Sequence, residues 1–481
     1  MYQIVKDKIV SFNPATKEKL GDIKITTEIE MTEIISRCRQ SFEIWKHYSF
    51  ERRGEYLVRL ADYLEKNSEN LAKLMTKEMG RPLAESIPEI IKSAKFLRYF
   101  ATEAEKLLAK EEITGVANKI VHLMFEPYGV VALIKPWNMP LQTPIWAMAP
   151  ALMAGNAIAF KPSENSLLVA KELQRAIEIC EFPQGLIGFI YGEKEQGRQL
   201  LDKNIDMVSF TGSAVAGKQI ASQVASRFIK TSLELGGKDP MIVFDDANID
   251  FAAMAAVWGS TTNCGQFCSS IERVYVQEKI FNEFVNKASE LCKAIKVGNG
   301  LNKGIEMGPV VNEIQYNKIL SQIRDAVKNG AIIVTGGDAY NSGELSKGLF
   351  IQPTLLVGLN NSMRIMQEET FGPIVRAVKF STAEEAITLA NESEYGLGSS
   401  IITQDEKLAN MVASQMETGM VWINEPLLSH EKCPWIPRKN SGLGYELGVL
   451  GIKEFVQTKI VNMQFTDNDK MRGWWYPYKL S

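Results

Sequence analysis

Histidine is nearly absent from this sequence. The 481 residues include only His47, His122 and His430, and none of them is close in sequence to Cys264 or Cys268. A zinc site needs about four ligands at characteristic spacing, and neither a histidine pair nor a second cysteine pair stands at that spacing. The sequence therefore predicts no metal centre. Any base that activates a cysteine is expected to be a carboxylate.

Cysteine, unbalanced charge and long apolar runs are also scarce. The chain has six cysteines, and 54 Lys and Arg nearly balance 57 Asp and Glu, for a net charge of −3. Sparse cysteines are typical of free thiols in a reducing compartment, and near-neutral charge argues against nucleic acid as a partner. No run of about 18 uncharged apolar residues occurs, and the N-terminus is charged where a signal peptide needs an apolar core. We expect a cytoplasmic protein that binds neither membrane nor nucleic acid.

The sequence does contain a repeated strand–helix pattern. Its length exceeds the roughly 250–300 residues at which a single core stops growing, so two or more domains are expected. Apolar residues at three-to-four spacing after Thr32 predict helices over about the first 110 residues. From Gly129, short apolar runs alternate with amphipathic helices, which predicts a parallel sheet covered by helices. The predicted strands are 130–134, 157–160, 187–191 and 207–210, with helices near 143–154, 166–179, 194–201 and 214–225.

A second series of the same kind is predicted to begin after Asp245. It comprises strands at 274–277, 332–334 and 374–379 and helices at 250–262, 279–293 and 383–391. The overall prediction is an α/β protein with two units, each with its own sheet. Alternating polar and apolar residues at 113–126 indicate a hairpin arm, and such arms commonly pair with the sheet edge of another subunit. The aromatic cluster at Trp474 and Trp475 is expected to dock on the protein's own surface or on a neighbour.

Two segments indicate covalent chemistry at a thiol. They are Glu234-Leu-Gly-Gly-Lys238 and Asn263-Cys-Gly-Gln-Phe-Cys-Ser269. A cysteine attacks as its thiolate, so we expect the ordinary pKa of about 8.5 to be lowered by a helix N-terminus, a cation or a base. With histidine so scarce, the Glu234 carboxylate is the preferred base for Cys268.

Two other segments are candidates for nucleotide binding. Phe210-Thr-Gly-Ser-Ala-Val-Ala-Gly217 follows a predicted strand and opens a helix, where backbone N–H groups favour a pyrophosphate. The Gly-x-Gly-x-x-Gly fingerprint is absent, however, and such a turn also closes βα junctions that bind nothing. Phe160-Lys-Pro-Ser-Glu164 places Lys161 and Glu164 at a strand end, where they could hold ribose hydroxyls or belong to a solvated loop. A carboxylate at that place favours NAD over NADP.

Several of these side chains are expected to meet. Asn138 follows a strand in Pro136-Trp-Asn-Met-Pro140 and could direct its amide at charge that develops on a substrate oxygen. The strand ends of successive βα units lie on one rim of a parallel sheet. We therefore expect Asn138, Lys161, Glu164, Gly212, Glu234 and Cys268 to converge. Glu369-Thr-Phe-Gly-Pro373 adds a carboxylate and a ring before a turn.

With these segments in view, the chain resembles the aldehyde dehydrogenase superfamily, the NAD(P)-dependent enzymes that oxidise aldehydes to carboxylic acids. The resemblance runs from about Phe12 to Gln464. Six family motifs occur in order, beginning at Pro136, Lys161, Phe210, Glu234, Gly265 and Glu369.

The resemblance implies a role for single residues. Cys268 is expected to be the nucleophile, with the oxyanion held by the Asn138 amide and the Cys268 N–H, and Glu234 is expected to activate the water that hydrolyses the thioester. Relatives that pass the acyl group to coenzyme A look as if they lack this glutamate, so the expected product is a free acid. The implied cofactor contacts are Lys161 and Glu164 with the adenosine ribose, Trp137 and Ser213 with the pyrophosphate, Glu369 with the nicotinamide ribose and Phe371 with its ring, together with Gly212, Gly217, Leu235 and Gly236. The cofactor is expected to be NAD, with NADP possible.

The chain departs from the family pattern at four places. Many relatives read Trp-Lys where this chain has Trp146-Ala147, and Gly-Arg-Glu where it has Gly444-Tyr-Glu446, so the proton relay assigned to that lysine and to Glu446 is not expected to be intact here. The usual glycine pair near the substrate mouth is replaced by Ile436-Pro437, which should stiffen that loop. Trp146 also stands where relatives that act on succinic semialdehyde look to have an arginine, which disfavours acidic aldehydes.

The substrate and the assembly are expectations from the same resemblance. Trp146, Phe267, Trp422 and Trp435 could line a tunnel for a medium-sized uncharged or cationic aldehyde, although buried aromatics more often form core. A homodimer or homotetramer is expected. The implied domains are 1–112 and 127–235 for NAD binding, 236–440 for catalysis, 113–126 and 452–464 as the oligomerisation arm, and 465–481 as an aromatic tail. Two alternatives stay open, a cysteine hydrolase or acyltransferase without redox chemistry and a non-catalytic dinucleotide-binding scaffold.

Overall fold

The N-terminal part of the chain combines a small sheet with a layer of helices. A computed structural model describes residues 1–116, 119–426, 428–464 and 476. The helices begin at Glu28, earlier than Thr32, because Thr27 and Glu30 form a reciprocal capping box. The antiparallel sheet β1–β3 before them was not predicted. The elements are β1 (Tyr2–Val5), β2 (Lys8–Phe12), β3 (Lys19–Lys24), α1 (Glu28–Trp45), α2 (Phe50–Lys66), α3 (Ser68–Met79), α4 (Leu83–Leu107), β4 (Glu111–Glu112) and β5 (Ile120–Pro127).

The first parallel sheet lies where the apolar runs predicted it. Its strands are paired in the order β10-β9-β6-β7-β8, and every residue of β6, β7 and β9 is buried. Such continuous burial is typical of a parallel sheet with helices on both faces. The elements are β6 (Val130–Ile134), α5 (Gln142–Ala154), β7 (Ala157–Lys161), α6 (Leu167–Ile179), β8 (Ile187–Phe189), α7 (Lys194–Leu201), β9 (Met207–Thr211), α8 (Ala214–Ala225) and β10 (Lys230–Glu234).

A second sheet follows directly after the first. The prediction that it begins after Asp245 was wrong, because β11 starts at Asp239 and pairs with both β12 and β17 inside the sheet. Its opening Asp239-Pro240 hid the strand, since both residue types are depleted in strands. The elements are β11 (Asp239–Val243), α9 (Ile249–Thr261), β12 (Ile271–Gln277), α10 (Phe281–Ala294), α11 (Glu313–Lys328), β13 (Ile332–Thr335), β14 (Thr354–Val357), α12 (Arg364–Gln367), β15 (Ile374–Phe380), α13 (Ala383–Asn391), β16 (Tyr395–Gly396), β17 (Gly398–Ile402), α14 (Glu406–Gln415) and β18 (Met420–Ile423).

The second sheet has the strand order β13-β14-β15-β12-β11-β17-β18. All neighbouring strands are parallel except β13, which runs antiparallel to β14. The chain passes from the last strand of the first sheet to β11 through only four residues, Leu235–Lys238. The carboxyl end of β10 and the start of the second sheet are therefore held next to each other.

The last described elements return to the first sheet and form a separate ribbon. They are β19 (Arg438–Lys439), β20 (Gly442–Leu443), α15 (Gly448–Lys453) and β21 (Val456–Met463). β20 pairs antiparallel with β10, and β5 pairs with both β4 and β21 in a three-stranded sheet. No helix in the described ranges is long and apolar enough to cross a membrane. Trp474 and Trp475 lie outside the described residues.

Candidate active site

A cavity of about 540 Å³ lies at the carboxyl rim of the first sheet and faces the second sheet. Strands β6, β9 and β10 all end there, so the residues that follow them meet at one place. The cavity is lined by fourteen of the residues singled out from the sequence: Trp137, Asn138, Trp146, Gly212, Ser213, Glu234, Leu235, Gly236, Phe267, Cys268, Glu369, Phe371, Trp435 and Glu446. Lys161, Glu164 and Gly217 do not line it.

Cys268 reaches the cavity from a left-handed turn after α9. Asn263, Cys264 and Gly265 have φ values of 47°, 58° and 71°, a region that is costly for residues with a Cβ. A Cβ on Gly265 would lie 2.3 Å from the carbonyl oxygen of Gly372. The turn thus packs directly against the loop that carries Phe371. Gln266 fixes its far end, because its Oε1 accepts from the Val311 N–H at 3.0 Å.

One of the two amide hydrogens of the Asn138 side chain is used in a hydrogen bond within the protein. Its Nδ2 donates to the Gln266 backbone carbonyl at 3.1 Å, and the backbone carbonyl of Asn138 accepts from Asn263 Nδ2 at 3.1 Å. An amide nitrogen has a second hydrogen to donate. The Asn138 amide is therefore anchored to the segment before Cys268 and still has a donor for the cavity.

Glu234 is the last residue of β10 and is buried. Neither carboxylate oxygen has a hydrogen-bond partner within the described part of the chain. Burial raises the pKa of Glu234 well above its ordinary value, the nearby charges of Glu446 and Glu454 raise it further, and Lys135 opposes the shift. A carboxyl group with a raised pKa can accept and return a proton near neutral pH.

Cys268 differs from the expectation of a lowered thiol pKa. Burial raises the pKa of Cys268 well above its ordinary value, and the charges of Glu234, Asp239 and Glu369 raise it further, opposed by the Ser269 N–H. The physical reason is the burial of the thiol, to which the three neighbouring carboxylates add. Such a shift favours attack with the help of a base that takes the thiol proton.

Glu369 contacts Gly236 and Gly237, which follow Glu234 closely in the chain. Glu369 Oε1 accepts from the Gly237 N–H at 3.0 Å, and a Cβ on Gly236 would lie 2.8 Å from both Glu369 oxygens. Burial raises the pKa of Glu369 to about 7, and the charge of Glu272 adds to the shift. The ring of Phe371 meets that of Trp137 edge-on, with centroids 5.7 Å apart. A carboxylate and two aromatic rings thus stand side by side.

The loop 369–371 is held by a buried carboxylate that the sequence did not single out. Glu272 accepts from the N–H groups of Thr370 (2.9 Å to Oε2) and Phe371 (2.8 Å to Oε1). It also pairs with Lys238 and with Arg376. Burial alone would raise the pKa of Glu272, but Lys238, Arg376 and the Phe371 N–H lower it to about 2. A signal was present, since a glutamate stands inside the buried strand β12.

The start of α8 fits a pyrophosphate. Ser213 caps the helix, with its Oγ accepting from the Ala216 N–H at 3.3 Å, and both Gly212 and Ser213 line the cavity. A Cβ on Gly217 would lie 2.5 Å from the Leu235 side chain, so glycine is needed for α8 to pack on the end of β10. A helix N-terminus at a rim, beside a carboxylate and an aromatic pair, suits a dinucleotide.

Lys161 and Glu164 pair with each other beside the cavity. Lys161 ends β7 and is buried, and its Nζ lies 3.1 Å from Glu164 Oε2. Two strands, β9 and β6, lie between them and Glu234, so they are on the β7–β8 side of the sheet. The predicted convergence thus holds for Asn138, Gly212, Glu234 and Cys268, while this pair lies further along the rim.

One wall of the cavity is aromatic. Trp146 and Trp435 are buried against each other with ring centroids 5.4 Å apart, and Phe267 and Trp258 also line the cavity. Trp422 is not among the lining residues and instead packs on Trp435, at 6.0 Å between centroids.

Charged groups stand further along the same wall. Arg81 pairs with Glu85 and Glu89, and Lys92 Nζ donates to Ser429 Oγ at 2.9 Å. Burial lowers the pKa of Lys92, opposed by Glu431. Elsewhere in the described ranges no three His, Cys, Asp or Glu side chains gather as a metal site would require.

Comparison with known proteins places this geometry in a family. The family model described as "Aldehyde dehydrogenase family" matches residues 3–461. A peroxisomal aminoaldehyde dehydrogenase of Pisum sativum is 35% identical over 98% of this chain and 95% of its own length. A cytosolic aldehyde dehydrogenase of Mus musculus is 36% identical over 96% of this chain and 93% of its own. The structure of a betaine aldehyde dehydrogenase from Staphylococcus aureus in complex with NAD⁺ superposes with a TM-score of 0.94 at 36% identity, covering 98% of this chain and 94% of that one.

The chain therefore belongs to the aldehyde dehydrogenase family. It is an NAD(P)-dependent enzyme that oxidises aldehydes, and this confirms the class, the α/β fold and the nicotinamide cofactor predicted from the sequence. A hydrolase or acyltransferase without redox chemistry and a non-catalytic scaffold are both disfavoured by this membership.

Proposed function

We propose that the chain oxidises a medium-sized uncharged or cationic aldehyde to the free acid through a thioester on Cys268. The observation that carries the proposal is that the Cys268 thiol, the anchored amide of Asn138 and the unpartnered carboxylate of Glu234 line one cavity. These are a nucleophile, an oxyanion donor and a base.

The first half of the reaction uses the thiol and the amide. Glu234 takes the proton of the Cys268 thiol as sulfur bonds to the aldehyde carbon, and the Asn138 amide with the Cys268 N–H holds the resulting oxyanion. When bound, NAD⁺ accepts the hydride that leaves this carbon as the oxyanion collapses to a thioester. Because the thiol pKa is raised, the base is needed in this step as well as later.

The second half uses Glu234 alone. Glu234 first releases to solvent the proton that it took from the thiol. Its carboxylate then removes a proton from water as the water oxygen attacks the thioester carbon, and the Cys268 sulfur leaves with the bond pair and takes this proton back from Glu234. The free acid is then released. Burial without a partner keeps Glu234 available for both proton transfers.

The cofactor residues proposed here divide into three groups. Glu369 holds the nicotinamide ribose, Phe371 the ring, and Trp137 with Ser213 the pyrophosphate at the start of α8. Gly212, Gly217, Leu235 and Gly236 give the backbone approach that a cofactor needs. Lys161 and Glu164 hold the adenosine ribose, and the carboxylate at Glu164 favours NAD over NADP.

The substrate class rests on the aromatic wall. Trp146, Trp435 and Phe267 offer apolar surface and ring faces that attract cations, and relatives are named as aminoaldehyde and betaine aldehyde dehydrogenases. Arg81 is neutralised by Glu85 and Glu89. Lys92 is the cation on this wall that an incoming ammonium has to avoid.

We also propose the assembly and the domain division that the resemblance implies. Residues 1–112 and 127–235 form the NAD-binding domain, 236–440 the catalytic domain, and 113–126 with 452–464 an arm. Ile120, Met124 and Ile460 are exposed on the sheet of β4, β5 and β21, and an exposed apolar sheet favours pairing with a second subunit. We propose a homodimer or homotetramer in the cytoplasm, and six free thiols suit that reducing compartment.

The test is production of reduced nicotinamide from a panel containing hexanal, benzaldehyde, 4-aminobutanal, betaine aldehyde and succinic semialdehyde. Cys268→Ser should abolish it, since an alcohol is a far weaker nucleophile than a thiol. Glu234→Gln should lose turnover with NAD⁺ bound normally. Turnover by Cys268→Ser at the unmodified rate would refute the mechanism, and preference for succinic semialdehyde would refute the substrate class.

A further inference from the structure

Lys135 is a buried cation directly behind the proposed base. It follows β6, its side chain has no exposed surface, and its Nζ donates to Ser209 Oγ at 3.0 Å and Thr211 Oγ1 at 2.9 Å. Its third donor goes to Glu446 Oε1 at 2.5 Å. All three ammonium hydrogens are therefore used.

Glu446 is equally fixed. Its backbone exchanges two hydrogen bonds with that of Trp435, and a Cβ on Gly451 would lie 2.5 Å from its carbonyl carbon. Glu446 lines the cavity with Glu234, whereas Lys135 does not. The ammonium of Lys135 thus lies behind the cavity wall and holds a carboxylate that is part of the wall.

We infer that Lys135 is a positioning residue that holds Glu446 beside Glu234 and so sets the pH range in which the thioester is hydrolysed. The residue after Trp146 is Ala147, and the cation that contacts Glu446 is Lys135, which follows β6. The inference rests on the proposed function, because it assigns Glu234 the role of base.

The charges that face Glu234 come from several elements. Glu446 follows β20, Lys135 follows β6, and Glu454 follows α15, where its carboxylate pairs with Lys230 at 3.0 Å. The Cys268 thiol is the remaining titratable neighbour. Only Lys135 lowers the pKa of Glu234 among the causes of its shift, while Glu446 and Glu454 raise it.

Variants of Lys135 and Glu446 should shift the pH dependence of thioester hydrolysis in opposite directions. Hydrolysis needs ionised Glu234, so its rate rises with pH through the pKa of Glu234. Lys135→Met removes the cation and leaves Glu446 uncompensated, which should move this rise to higher pH. Glu446→Gln leaves the ammonium of Lys135 without its counter-ion and should move the rise in rate to lower pH. The double variant should return near the unmodified profile.

The experiment uses 4-nitrophenyl acetate, which acylates a reactive thiol without any cofactor. The initial burst of 4-nitrophenolate reports acylation of Cys268, and the steady rate reports hydrolysis of the acyl-enzyme. We expect the steady-rate profiles of the two single variants to lie on opposite sides of the unmodified one, each shifted by about one pH unit, a tenfold change in rate on the limb. Lys203→Met, which removes a lysine paired with Glu28 on the surface, is the control and should leave the profile in place.

Failure of the inference is distinguishable from failure of the proposed function. Profiles that do not move, or that move in the same direction in both single variants, overturn the role of Lys135. If Lys135→Met does not fold, the double variant can be compared with Glu446→Gln instead. The steady rate of the double variant should rise at a higher pH than that of Glu446→Gln, and identical profiles of these two variants overturn the role as well. The proposed function fails separately, if the unmodified protein reduces no NAD⁺ with any aldehyde of the panel.

Discussion

The strongest test of the structural reasoning is the removal of charge at Glu272. Its carboxylate is the acceptor for the N–H groups of Thr370 and Phe371 and the counter-ion of Lys238 and Arg376. Glu272→Leu leaves two buried cations uncompensated and two N–H groups without their acceptor. Breaking a buried ion pair by removal of one partner costs about 3–5 kcal/mol, and we expect the free energy of unfolding to fall by about that amount.

Function should suffer at the same place. The loop that carries Glu369 and Phe371 loses its anchor, so part of the energy of NAD⁺ binding is spent on ordering it. A cost of about 1.4 kcal/mol weakens NAD⁺ binding tenfold. We expect the affinity of Glu272→Leu for NAD⁺ to fall by at least that factor. Glu272→Gln keeps one oxygen that can accept from the loop, and it should bind NAD⁺ more tightly than Glu272→Leu.

The measurements are urea unfolding followed by tryptophan fluorescence and titration of NAD⁺ by calorimetry. Lys238→Met combined with Glu272→Leu is the control, because it removes one of the two uncompensated cations and leaves only Arg376. It should be more stable than Glu272→Leu alone. An unfolding free energy of Glu272→Leu within 1 kcal/mol of the unmodified protein, with NAD⁺ affinity unchanged, would refute the reasoning.

Three further outcomes are expected. Gly265→Ala should lose about 2–5 kcal/mol of stability and most activity, because φ is positive there and the Cβ meets Gly372; Gly197→Ala, which meets nothing within 4 Å inside α7, is the control, and equal thermal shifts in the two variants would contradict us. Affinity for NAD⁺ should rise between pH 6 and 8 as Glu369, with its pKa near 7, loses its proton and becomes a charged acceptor; in Glu369→Gln the calorimetric affinity should no longer depend on pH, and an unchanged slope there would argue against this role. Lys92→Met should lower KM for betaine aldehyde at least threefold and leave hexanal unaltered, and equal effects on both substrates would show that charge is not the cause.

The positions of the main elements could be predicted because their signals are local. Helices α8 and α13 have the predicted bounds, and the apolar runs of the first sheet became strands β6 to β9. Cys268 lies outside the rule about parallel strand ends, because it enters from the turn before β12 of the second sheet, but the convergence of Asn138, Gly212 and Glu234 followed from that rule. None of this needed knowledge of contacts between distant parts of the chain.

The buried charges could not be predicted in the same way. Lys135 and Glu446 are 311 positions apart in sequence, and Glu272 and Thr370 are 98 apart. A buried lysine or glutamate is explained only by its partner, and the partner is invisible until the fold is known. The raised pKa of Cys268 has the same origin, since its carboxylate neighbours arrive from separate elements.

The start of the second sheet was missed for a different reason. β11 opens with Asp-Pro, and only its pairing on both sides makes it a strand. The strands of the N-terminal sheet β1–β3 are likewise short, and no residue of its outer strands β1 and β3 is buried. Local propensity is a weak guide where tertiary pairing decides the outcome.

The short crossing between the two sheets has a consequence for how product leaves. A Cβ on Gly237 would lie 2.2 Å from the carbonyl oxygen of Cys268. The segment 235–238, which joins the two sheets, therefore packs directly against the backbone of Cys268. Moving the two sheets apart would separate Glu234 from Cys268 before it opened a route to solvent between them. We therefore expect the acid to leave past Trp146 and Trp435, on the wall proposed for the aldehyde, and replacing either tryptophan by alanine should alter departure as well as arrival.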